Sequence, residues 1–170
     1  MSNPLKKAIN SLVIHDVYLR NSDTVLSEDF EPKYEDKNTS YNLQFKHFVE
    51  KAQVLQIEAD DGEGEQQLVR VFLQLGCRLL AADDGEDTQE DESTDDEFLC
   101  QVEAQYVAEY LMKEPLEQAA IDEFATENAS YHVWPYWREY LSSQCLRLNL
   151  PKIILPTKQL ATNRQRIKGQ

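Results

Sequence analysis

Residues 66–80 read QQLVRVFLQLGCRLL. Val69, Val71, Leu73, Leu75, Cys77 and Leu79 fall on odd positions, whereas Arg70, Gln74 and Arg78 fall on even ones. A strand turns successive side chains to opposite faces, so the pattern predicts a long strand with one buried and one wetted face. Residues 98–112, FLCQVEAQYVAEYLM, repeat it: Phe98, Val102, Ala104, Tyr106, Ala108 and Tyr110 share one face, and Gln101, Glu103, Gln105 and Glu109 the other. Cys100 falls with the apolar set and reads as a core thiol.

Working outward, two more strands are expected, at residues 12–20 and 41–58. In the second, Leu43, Phe45, Val49, Leu55 and Ile57 occupy odd positions, while Lys51 and Gln53 predict a bulge or an exposed middle. The turn signal DDGEGE (60–65) and an acidic run, with ten carboxylates among residues 83–97, separate the last three strands. Hairpins with solvated loops, and hence antiparallel pairing, follow.

After Met112 the period becomes helical. Pro115 suits a first turn, and Leu116, Ala120, Ile121 and Phe124 then share a face. Ser130 is expected to cap a second helix with the stripe Val133, Trp137, Tyr140, Leu141, Cys145 and Leu148, which places Pro135 in its first turn. The fold class is therefore α+β: a four-stranded antiparallel sheet with two helices packed on one face and a polar opposite face. One domain spans residues 1–157, and a basic, flexible tail (158–170) carries Lys158, Arg164, Arg166 and Lys168.

Chemistry narrows the function by exclusion. A net charge of −14 over 170 residues argues against nucleic acid or an anionic membrane as partner, because phosphate binding needs a basic surface. No phosphate loop, dinucleotide fingerprint, G-x-S-x-G or H-E-x-x-H is present. His15, His47 and His132 lie on separate elements, and the spacing of Asp83, Asp84, Asp87, Asp91 and Asp95 does not match a calcium loop. We expect no enzyme activity, no cofactor and no metal. Three cysteines without a C-x-x-C pair, no leader pattern and no membrane-length apolar run point to the cytoplasm.

The remaining feature is YHVWPYWREYLSSQCLRLNLPKIILP (131–156), which holds both tryptophans. Its WPYWREYL (134–141) and LNLP (148–151) resemble the helix and extended exit of SecB-type protein-export chaperones. IHDVYLRN (14–21) is similar to that family's first strand, SEDFEP (27–32) to its crossover loop, and EFLCQVE (97–103) to its fourth strand. The resemblance implies an ATP-independent holdase, assembled as a homotetramer, that binds unfolded polypeptides in apolar grooves and hands them on for export. Client contacts are assigned to Trp134, Tyr136 and Tyr140 on the helix and to Phe30 and Tyr34 in the crossover loop. The positions matching the acids that dock the SecA motor are Asn21, Val25 and Gln101, uncharged here, so Asp23, Glu103 and Glu109 are the substitutes. Two alternatives stand beside export: a SecB-like chaperone dedicated to an antitoxin, and an acidic adaptor or inhibitor of one basic protein.

Overall fold

The computed structural model describes residues 3–59, 62, 64–82 and 98–155; the acidic run 83–97 and the tail 158–170 lie outside the described residues. In chain order the elements are α1 (Asn3–Ser11), β1 (Leu12–Leu26), a 3-10 turn at Pro32–Tyr34, β2 (Tyr41–Glu58), β3 (Glu65–Ala81), β4 (Cys100–Met112), α2 (Gln118–Glu127) and α3 (Ala129–Arg147). The four strands form one antiparallel sheet in the order β1-β4-β3-β2. Strands β2, β3 and β4 follow one another as a meander, but β1 pairs with β4. Residues 27–40 must therefore cross from one sheet edge to the other, and Phe30 anchors that crossing, 5% exposed and edge-on to Tyr41 at 6.2 Å.

The odd positions of β3 and the even positions of β4 are sealed beneath the helices. Ile121 and Phe124 of α2, and Val133, Trp137, Leu141 and Cys145 of α3, close over them. Beyond α3, Asn149 takes a left-handed conformation (φ 56°), which asparagine tolerates better than most residues. The chain then returns Leu150, Ile153 and Leu155 to the core, and Arg138 donates to the Leu155 carbonyl at 3.0 Å. At the other end α1, which the sequence did not suggest, is tied down by Ser11. Its hydroxyl donates to the Glu114 carbonyl (2.7 Å) and accepts from the Glu114 N–H (3.0 Å).

Several expectations need correction. Strand β1 runs six residues further than expected, because register shifts at His15 and Arg20 break its alternation. The expected irregularity in β2 is a bulge at Glu50. An extra residue turns every later side chain over, so Leu55 pairs across from Leu68 on the outer face, where Ile57 also lies. That face is not simply polar: Leu68, Phe72 and Val107 lie on it, buried yet outside the main core. Pro115 precedes α2 instead of opening it, and Ser130 lies inside α3 with its hydroxyl turned to His47. Pro135 is the seventh residue of α3. Lacking an N–H, it leaves the Tyr131 carbonyl without its helical donor.

Candidate functional site

The helical cover thins at β2. Inner positions of β3 and β4 are sealed, whereas on β2 Tyr41 and Phe45 are half-buried and Leu43 is 39% exposed. Toward α3, His47 is buried; one ring nitrogen lies 2.7 Å from the Ser130 hydroxyl, and Trp134 meets the ring edge-on at 6.2 Å. The Trp134 indole N–H is itself buried without an acceptor among the described residues. Alternate residues of one strand share a face, so His47, Phe45, Leu43 and Tyr41 form a strip roughly 20 Å long. It ends at a cavity of about 530 Å³ whose lining includes Phe30, Tyr41, Ala81 and Leu99 together with the carboxylates Asp29 and Glu35. Burial, and then the Glu35 charge, push the Tyr41 phenol above its usual range. Because β2 is an edge strand, its outer side presents backbone groups that pair with no other strand among the described residues.

The helix divides the residues that the sequence grouped. At 100° per residue, Trp134 and Tyr136 are 200° apart, so they flank Trp137, which points into the core at 1% exposure. Trp134 faces β2. Tyr136, 48% exposed, and Tyr140, half-buried and stacked on Trp137 at 6.1 Å, take the other flank, on the side of β1. There Tyr106 of β4 donates to the Tyr136 carbonyl at 3.2 Å, and the inner positions Ile14 and Leu19 stay partly exposed. Phe30 is a buried cavity wall instead of a surface contact, while Tyr34 is 78% exposed, with the Lys33 ammonium 5.6 Å from its ring centre. Sequence reading missed Tyr131, 63% exposed on the Trp134 flank, and the part played by Tyr41 and His47. The wheel places Tyr131 beside Trp134; nothing in the strand pattern marks where its cover ends.

Among the described residues no set of three or more His, Cys, Asp or Glu side chains is placed to hold a metal ion. All three cysteines are buried, and burial followed by mutual repulsion of their charges raises the Cys77 thiol to about 12 and the Cys100 thiol to about 11. Neither forms a nucleophilic thiolate at neutral pH. His132 shares a 2.9 Å hydrogen bond with the Tyr110 hydroxyl, and burial lowers its basicity.

The expected docking carboxylates all lie on the outer face, Asp23 directly across from Glu103. Two are already neutralised. Lys46 reaches Glu103 at 3.0 Å by passing over Gly76, which pairs with both residues and has no side chain to block the path. Arg70 pairs with Glu109 at 3.1 Å, and Tyr18 donates to the same carboxylate at 3.0 Å.

No family model matches the chain, and no curated protein matches it in sequence. Among solved structures, a SecB-like chaperone of Mycobacterium tuberculosis, in complex with a ChAD peptide from the HigA1 antitoxin, is similar with a TM-score of 0.63. The match covers 90% of this chain and 95% of that one at 13% identity. The resemblance read from the short motifs therefore holds at the level of architecture: four antiparallel strands backed by helices, in the SecB-like fold.

Proposed function

We propose that the chain is a SecB-like chaperone, an ATP-independent holdase rather than an enzyme, that keeps non-native polypeptides from aggregating. One observation carries this reading: the helices reach β2 at His47 but leave Tyr41, Leu43 and Phe45 half-buried or exposed, an apolar strip that joins Trp134 to the Phe30–Tyr41 cavity along the sheet edge. An unfolded chain offers scattered apolar side chains and unsatisfied backbone groups, and such a strip meets both needs without selecting a sequence. The indole N–H of Trp134, without an acceptor among the described residues, supports it, since a carbonyl of a bound chain would complete that site. Clients lie along the strip and against Tyr34, with Tyr136 and Tyr140 forming a second contact on the β1 flank. The test is aggregation of an unfolded model substrate without nucleotide. Stoichiometric suppression is expected, and aggregation indistinguishable from a no-chaperone control would overturn the proposal.

The natural client is better read as an antitoxin than as a secreted precursor. The similar mycobacterial structure holds an antitoxin peptide, whereas Glu103 and Glu109 are held by Lys46 and Arg70 and are poorly placed to attract a basic motor. Purified SecA should show no measurable binding, while an antitoxin tail peptide should compete with the model substrate. The assembly is proposed as a homotetramer in the cytoplasm. No described helix is long and apolar enough to cross a membrane.

A further inference from the structure

The client strip is bordered by an extended stretch of this same chain. Beyond Asn149 the backbone runs back along α3: the Leu150 N–H donates to the Cys145 carbonyl at 2.9 Å, and Arg138 donates to the Leu155 carbonyl at 3.0 Å. Arg138 follows Trp134 by one helical turn and so lies on the same flank. The residues after Leu155 therefore start beside the strip. Their sequence, PTKQLATNRQRIKGQ (156–170), carries Lys158, Arg164, Arg166 and Lys168 and no acid, in a chain whose net charge is −14. At the far end of the strip the charge is of the opposite sign. The crossover residues 27–40 hold five carboxylates against two lysines, and one of those lysines, Lys33, sits over the Tyr34 ring. Asp29 and Glu35 line the cavity of about 530 Å³, both are exposed, and among the described residues neither is ion-paired.

We infer that residues 156–170 are a built-in occupant of this site, with their cations at Asp29 and Glu35 and with Leu160 and Ile167 as apolar contacts along the strip. The inference rests on the holdase reading and adds its regulation: the tail competes with clients for one surface. Reach permits it. Fifteen residues extend up to about 50 Å, more than twice the strip's roughly 20 Å. Charge complementarity favours it, because a basic segment is drawn to a carboxylate-lined cavity that repels the acid-rich remainder of the chain. Tethering at Leu155 sets an effective concentration on the order of millimolar, so a weak affinity is enough to keep the strip covered. Only clients that bind more strongly than the tethered tail displace it.

The test uses the full chain with Lys158→Gln, Arg164→Gln, Arg166→Gln and Lys168→Gln, which removes the charges of its own tail, and a labelled synthetic peptide of residues 156–170. Fluorescence anisotropy at low salt should show binding, weakened at least tenfold when Asp29→Asn and Glu35→Gln are added to the protein or when the peptide's four cations are replaced by glutamine. In a second titration the four-glutamine chain should bind an unfolded substrate of zero net charge at least threefold more tightly than the unmodified chain, a gain that high salt abolishes. All the substituted side chains lie outside the core, and circular dichroism confirms that each variant is folded. Three outcomes would each overturn the proposal: no peptide binding, equal binding after either set of charge removals, or equal substrate affinity with and without the tail cations. If neither chain binds the unfolded substrate at all, the holdase reading falls, and the anisotropy titration alone decides whether the tail docks.

Discussion

Trp134 and Tyr136 are two residues apart in sequence but serve different surfaces, and this sets how their substitutions combine. Truncating either removes a partly exposed aromatic without opening the core. We expect Trp134→Ala to weaken client affinity about tenfold, the order given by losing one buried aromatic contact. Tyr136→Ala should act through the other flank, so the double variant should show the product of the two losses; a titration of aggregation suppression measures this. The buried thiols and phenols make a separate prediction. Cys77 and Cys100 are raised by burial to about 12 and 11 from an ordinary 9.0, and Tyr106 and Tyr110 are raised for the same first reason. The unfolded chain thus loses protons that the folded one retains. Their contribution to stability is complete below pH 9 and disappears as the pH climbs through the folded values. The melting temperature should fall steadily above pH 9, and all three cysteines should resist alkylation until the protein is denatured.

At the scale of elements, Pro135 offers the most direct measurement. An exposed proline inside a helix costs up to about 3 kcal/mol, so Pro135→Ala should raise stability by about 1–3 kcal/mol in denaturant titration. A simultaneous loss of holdase activity would show that the interruption positions Trp134. Deleting Glu50 should cost little, because it is the extra residue. The Val49–Leu73 and Lys51–Phe72 pairs would become consecutive, Lys51 and Gln53 would keep the outer face, and only the exposed hydrogen bonds from Gln74 and Gln105 would be lost. The change should be about 1 kcal/mol or less in denaturant titration. The same bulge marks how far sequence reading reaches. The alternation of Val69 to Leu79 was legible because helices seal one side of β3, leaving no freedom of choice there. Leu55 kept the right parity for the wrong face, since counting residues cannot reveal which one is extra. Strand β1 was cut short at Arg20 for the same reason. In α3 the buried stripe was legible, but Ser130 was misread as a cap because its true partner, His47, is 83 residues away. The aromatics Trp134, Tyr136 and Tyr140 could be singled out from the chain, whereas their division between two flanks required knowing where the sheet lies.

At the scale of the whole molecule, the two sheet edges differ. Strand β1 is interrupted by bulges at His15 and Arg20, while β2 runs unbroken from Tyr41 to Val49, so bound polypeptide should protect β2 amides from hydrogen exchange more than those of β1. Light scattering should give four times the 19.7 kDa chain mass; a stable monomer would refute the proposed assembly. One further consequence comes from the junction of β3 and β4. Leu99 donates to the Leu79 carbonyl at 2.8 Å, just inside the ends of the intervening run. The strands themselves hold those ends together, so the entropy of closing the connection varies only logarithmically with its length, about 0.6 kcal/mol per doubling. That junction is a natural port for engineering: a fluorescent tag or affinity peptide inserted between Ala82 and Phe98 should leave the fold and its melting temperature nearly unchanged.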